Sequence, residues 1–138
     1  MNEPKNIFDV AGRAMGAQMV RLNTIASNIS NVGGLASSEA EAYRALRPVF
    51  ETEYANQVKH SGIATSRVVD VVELQKKPER LHMPEHPSAD KNGYVYSAAV
   101  NIEDEYVDMM EASRQYQNNI EVVTTLRKLM MRTINMGR

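Results

Sequence analysis

Cysteine is absent from the 138 residues, which removes disulfide staples and thiol chemistry together. No run of 18 apolar residues exists to span a membrane as a helix, and the opening stretch Met1 to Val10 lacks the basic start and apolar block of a secretory signal. Charge of one sign is also missing. The net charge is -1 with Lys and Arg scattered, so neither a nucleic-acid footprint nor a polybasic membrane patch is indicated. No segment resembles a phosphate loop, a dinucleotide fingerprint, a Ser/His/Asp order or a zinc pattern, so catalysis, cofactor and small-molecule substrate are not expected. The paired-carboxylate cleft that an enzyme acting on cell-wall polymer would need has no strands or loops to build it. By these exclusions a soluble, non-enzymatic protein is expected.

What is present is helical periodicity at both ends. Asn101 suits an N-cap, with Asp104 placed to answer it in a capping box and Glu103 and Glu105 at the positive helix end. From there Ile102, Tyr106, Met109, Ser113, Tyr116, Ile120, Val123, Leu126, Met130 and Ile134 recur three or four residues apart. A helix over 101–134 is predicted, acidic at its start and basic toward its end through Arg127, Lys128 and Arg132. It would be about 50 Å long, more than a small core can cover, so it needs partners. Doubled apolar positions, Met109-Met110, Val122-Val123 and Leu129-Met130-Met131, widen its face further. The 9 methionines suit surfaces that meet differently shaped neighbours.

At the other end Phe8, Ala11, Met15, Gln18, Leu22, Ile25, Ile29 and Val32 form a narrow coiled-coil-like seam that stops at Gly33-Gly34. This predicts a helix over 6–31. Gly12, Ala14, Gly16 and Ala17 flank the seam, where a second helix could approach closely, and each glycine there costs roughly 1 kcal/mol relative to Ala.

The middle reads differently. After a Ser/Ala/Glu loop over 33–41, Tyr43 to Tyr54 is extended, with Pro48 confining it to an edge strand or bulge. Gly62 separates it from Ser66 to Leu74, whose four valines make the clearest strand. Together they predict a hairpin-like β unit that is too small to stand alone and must pack on a helix or a neighbouring subunit. Residues 75–93, with Pro78, Pro84 and Pro87, read as a long exposed loop, Asn92-Gly93 as a turn, and Tyr94 to Tyr96 as a last short strand. The predicted class is mainly α: a coiled-coil-like pair of terminal helices, residues 1–34 and 99–138, around a small β-rich insertion over 35–98.

Two clusters invite a chemical reading. His82 and His86 have an i, i+4 metal-ligand spacing, but Pro84 and Pro87 deny them the helix that would align them, and a solvated loop is expected. Glu103, Asp104, Glu105, Asp108 and Glu111 are read as dipole complement and solvated face rather than a cation site. No catalytic, cofactor or metal residue is assigned.

At this point the residues carry a resemblance. Arg21 to Asn31, RLNTIASNISN, resembles the Leu-Asn-x-x-Ala-x-Asn-Ile-Ala-Asn motif of the bacterial flagellar rod, hook and filament-cap axial proteins. Ala112 to Val123, ASRQYQNNIEVV, resembles that family's C-terminal Ser-Arg-x-Tyr-Gln-Ala-Asn motif. Residues 42–51 and 86–109 are similar to the short proximal rod subunits in particular. Ser30 and Asn118 stand where the motifs usually have Ala, and residues 32–41 lack the Thr-x-Gly-Tyr ending of the longer members.

The resemblance implies a structural subunit of the flagellar basal body that polymerises with itself and with other rod subunits. It further implies delivery by the flagellar type III export apparatus without a cleaved signal peptide, into a rod crossing the periplasm. Motif and periodicity together name an assembly seam: Phe8, Ala11, Met15, Leu22, Asn23, Ile25, Asn28, Ile29 and Asn31 on the first helix. On the last helix it comprises Tyr106, Met109, Ser113, Arg114, Tyr116, Gln117, Asn119, Ile120, Val123, Leu126 and Met130. The alternatives are a soluble helical-hairpin adaptor or export chaperone, against which the β insertion argues, or a different rod subunit.

Overall fold

A computed structural model describes residues 6–54 and 64–137. Helix α1 (Ile7–Asn31) is followed by strands β1 (Leu35–Ala36), β2 (Leu46–Tyr54), β3 (Ala64–Glu73), β4 (Arg80–His82) and β5 (Tyr94–Ser97), and then by helix α2 (Ile102–Met136). Both helices are capped by asparagine. Asn6 Oδ1 accepts the Asp9 N–H at 2.9 Å, and Asn101 Oδ1 accepts the Glu103 N–H at 3.1 Å. The second cap therefore closes on Glu103 rather than through the box expected with Asp104. The end of α1 also differs from expectation. Val32 is right-handed, Gly34 N–H returns to Asn31 O, and neither glycine adopts a left-handed conformation. The last turn of α2 carries no base, because the helix runs to Met136, past Arg132.

The helices are antiparallel. Gln18 bonds Gln115, Arg21 reaches Asp108 and Glu111, and Asn28 bonds Glu105, so a step back along α1 is a step forward along α2. Continued at a common rise per residue, this match brings Ile7, where α1 starts, level with about Leu126. With 25 residues in α1 and 35 in α2, the longer helix runs on past its partner. From Arg127 to Gly137 every residue is exposed.

Between the helices lie two sheets. Strands β2 and β3 form an antiparallel ribbon from Leu46↔Glu73 to Tyr54↔Ala64, with a bulge where Val49 faces Asp70 and Phe50 faces Val68. Pro48 stands opposite Val71, whose N–H is taken by the Asp70 carboxylate, so proline removes no ladder bond there. The ribbon packs its base on α1. Gly62 lies outside the described residues.

The second sheet, ordered β1-β5-β4 and antiparallel, corrects two loop expectations: β1 lies in the stretch 33–41 and β4 inside 75–93. Their two and three residues are too short for periodicity to register. The Asn92-Gly93 turn forms as expected. Gly93 has φ 77°, and a Cβ there would stand 3.0 Å from Pro84 Cβ, so the position calls for glycine on two counts. The core is small and alanine-rich. Ala42, Ala45, Ala98 and Ala99 are buried where the chain enters β2 and leaves β5, joined by Ala45 N–H to Ala99 O and Ala99 N–H to Tyr43 O. Val95, Ile25, Ala11, Ala17 and Ala112 complete it among the described residues.

Candidate assembly surface

The junction of the two helices and the ribbon is polar. Asn28 is 0% exposed and uses its whole amide. Its Nδ2 donates to Leu46 O and to Glu105 Oε2, both at 3.0 Å. Its Oδ1 accepts from Tyr43 OH at 3.0 Å and from Leu46 N–H at 2.8 Å. One α1 side chain thus holds both main-chain groups of the first residue of β2. Asparagine supplies two donors and two acceptor sites, and all four are engaged.

Glu105, also 0% exposed, answers from α2. Its Oε1 lies 2.6 Å from the Arg47 guanidinium, an ion contact without a well-aligned N–H, so that oxygen has charge compensation but no hydrogen bond. Arg47 extends to Asp108 at 3.6 Å, and Arg21 on α1 bridges Asp108 at 3.2 Å and Glu111 at 3.4 Å. The contact with Glu105, opposed by partial burial and helped by the charges of Glu105, Asp108 and Asp104, holds the Arg47 pKa above its ordinary value. A buried carboxylate with one partner removed is costly, which makes this a structurally demanding point of the fold. The expectation that Glu105 is a solvated, dipole-complementing residue is overturned. It sits in the first turn of α2, but packing against Asn28 and Arg47 seals it from water.

The inner stripe of α2 runs Glu105, Met109, Ala112, Tyr116, Asn119, Val123 and Leu126, alternating steps of four and three. Glu105, Ala112 and Asn119, three of these seven, lie off the periodic apolar face read from the sequence, so the stripe that meets α1 is turned relative to it. The signal was a heptad with a carboxylate and an amide allowed into it. Of the expected seam residues, Met109, Ser113, Tyr116, Asn119, Val123 and Leu126 are half-buried, while Tyr106, Arg114, Gln117, Ile120 and Met130 are exposed. On α1, Ala11, Ile25 and Asn28 are buried, Phe8, Met15, Leu22, Ile29 and Asn31 are half-buried, and Asn23 is exposed. Sequence reasoning missed Arg47, Tyr43, Thr24 and Gln115, which act from other elements or as polar members of the seam.

Gln18, the polar member of the predicted α1 seam, donates to Gln115 Oε1 at 2.8 Å, while its own Oε1 is buried without a partner. Small residues do let the helices approach, but these are Ala11, Ala17 and Ala112. Gly12 and Gly16 face away, with open space within 4 Å of a built Cβ. His82 meets the Tyr94 ring edge-on at 4.9 Å beside Arg80, which lies 3.6 Å over the same ring, and His86 Nδ1 accepts the Ser88 N–H. Nor is any helix among the described residues long and apolar enough to cross a membrane.

Large apolar side chains crowd the outer surface of α2. Val107 and Met110 are 59% and 65% exposed, and beyond Leu126 the values for Leu129, Met130, Met131 and Ile134 lie between 53% and 60%. Leu126, Leu129, Met130, Thr133 and Ile134 line one shallow groove along the free end. A long amphipathic helix, half satisfied by its own chain and half bare, defines an assembling subunit rather than a self-contained globule.

Comparison with known proteins gives the class. Residues 8–33 match the model described as "Flagella basal body rod protein", and residues 91–136 match "Flagellar basal body rod FlgEFG protein C-terminal". The chain is 39% identical over 133 residues to the flagellar basal-body rod protein FlgC of Salmonella typhimurium, covering 96% of this chain and 97% of that one. It is 32% identical over 130 residues to FlgC of Aquifex aeolicus, covering 93% and 92%. This chain belongs to the FlgC family of flagellar basal-body rod proteins, which is structural and not enzymatic.

Proposed function

We propose that copies of this chain, together with other rod subunits, polymerise into the proximal rod, the drive shaft of the flagellar basal body. In this reading the flagellar type III apparatus exports the subunit without a cleaved signal peptide, the rod crosses the periplasm, and the terminal helices carry the assembly contacts. The observation that supports it best is the free end of α2, ten residues of helix past the level of Ile7 with Leu129, Met130 and Ile134 more than half exposed. Burying one such side chain stabilises a contact by about 1.5 to 3 kcal/mol, and a carboxylate in its place adds a desolvation cost. A loss of about 2 to 4 kcal/mol per subunit weakens each addition step roughly thirty- to thousandfold. The test is Leu129→Asp in a strain lacking the natural gene, with Glu121→Gln as the exposed control. Leu129→Asp cells are expected to make the protein but to lack a rod in electron micrographs and not to swim, while Glu121→Gln cells swim. Normal swimming of Leu129→Asp cells at wild-type expression would sink the assignment of assembly to this end.

A further inference from the structure

The two ends of α2 are opposite in charge and alike in texture. Residues 101–112 contain Glu103, Asp104, Glu105, Asp108 and Glu111 and no base, whereas residues 122–137 contain Arg127, Lys128 and Arg132 and no acid. At the acidic end, among the described residues, Arg21 and Arg47 are in ion-pair contact with Glu105, Asp108 and Glu111, two bases against five carboxylates, and Glu103 and Asp104 stand exposed. Tyr106, Val107 and Met110 lie bare beside them at 46%, 59% and 65% exposure. At the basic end the three cations are exposed beside Leu129, Met130 and Ile134. The two sets cannot neutralise each other within one chain, because a straight helix holds them about 35 Å apart.

Resting on the rod-assembly reading above, we infer that the basic tip of α2 in one copy seats on the acidic shoulder of α2 in the next copy. Each side offers apolar side chains flanked by charge, and the charges are complementary, so like ends repel and unlike ends attract. Tip and shoulder are different surfaces of the same chain, which makes the contact heterologous. Such a contact does not exhaust itself in a dimer, and it propagates copy after copy in one direction. Its polarity, carried by α2 alone, gives a growing shaft a defined direction.

The experiment is charge reversal with rescue, in a strain lacking the natural gene. One variant carries Arg127→Glu and Lys128→Glu, a second carries Glu103→Lys and Asp104→Lys, and a third carries all four. All these positions are exposed, and circular dichroism of the purified chains verifies that helix content is retained. Each pair alone is expected to cut swimming about tenfold or more, since like charges then face each other, and the fourfold variant is expected to recover most of it. Damage to the α2 cap at Glu103 would not be repaired by changes at the far tip, so rescue reports the contact itself. Wild-type swimming of either pair would overturn the inference. Loss in both pairs without recovery would overturn it too, since tip and shoulder would then meet different subunits while the rod-assembly reading stood. That reading falls instead if cells without the chain build rods.

Discussion

Up to Leu126 the second helix lies against the first, and beyond it the same helix runs on alone. In the paired half a carboxylate is sealed from water and tyrosine, valine and methionine remain on the outside. In the free half there is nothing to seal, and leucine, isoleucine and three methionines face solvent. The paired half is closed by the directional hydrogen bonds of Asn28, one of them to Glu105, and by the Arg47–Glu105 ion pair. The free half offers non-directional apolar contact, which tolerates several geometries.

The sharpest break of the comparison is Arg47→Met. It leaves Glu105 buried without its counter-ion, and the expected loss is about 3 to 5 kcal/mol, read as a lowered urea midpoint of the purified chain. Adding Glu105→Met should return much of it, because no charge then remains to be compensated. A loss below about 1 kcal/mol for the single variant would show that the junction is not what closes this half. The pH dependence follows from the raised Arg47 pKa. A group held above its ordinary value contributes fully at any pH below that ordinary value, so this pair's arginine side weakens only in strong alkali.

Amide hydrogen exchange in the isolated subunit separates the two halves without mutation. Amides over 105–126 are expected to be protected by the packed pair, while those over 128–136 exchange orders of magnitude faster, because about ten residues of unpartnered helix are marginal in water. Equal protection in a proven monomer would remove the distinction.

The smallest expected effect is Gly16→Ala. Its side chain would enter open space on α1, so the isolated chain should gain about 0.5 to 1 kcal/mol from helix propensity, measured by thermal unfolding. If the variant is more stable yet swims poorly, a neighbour comes close to that face. If it is more stable and swims normally, the glycine has no part in assembly.

Much of this protein was decided locally. Both helix starts, Asn6 and Asn101, the ribbon around Pro48 and the Gly93 turn follow from capping bonds, proline's missing N–H and glycine's freedom, each acting within a few residues. The terminal motifs carried the family for a related reason, since their residues lie on one helix each at fixed spacing. Tertiary structure alone decided which faces of the helices meet. The periodicity of apolar residues placed Tyr106 and Ile120 on one continuous face of the last helix, and within the single chain α1 covers neither of them. What turned α2 was the pairing of Glu105 with Asn28, 77 positions apart, and with Arg47 from the ribbon. No local pattern announces that a charge will be buried, because the groups that make burial tolerable are brought by other elements of the fold.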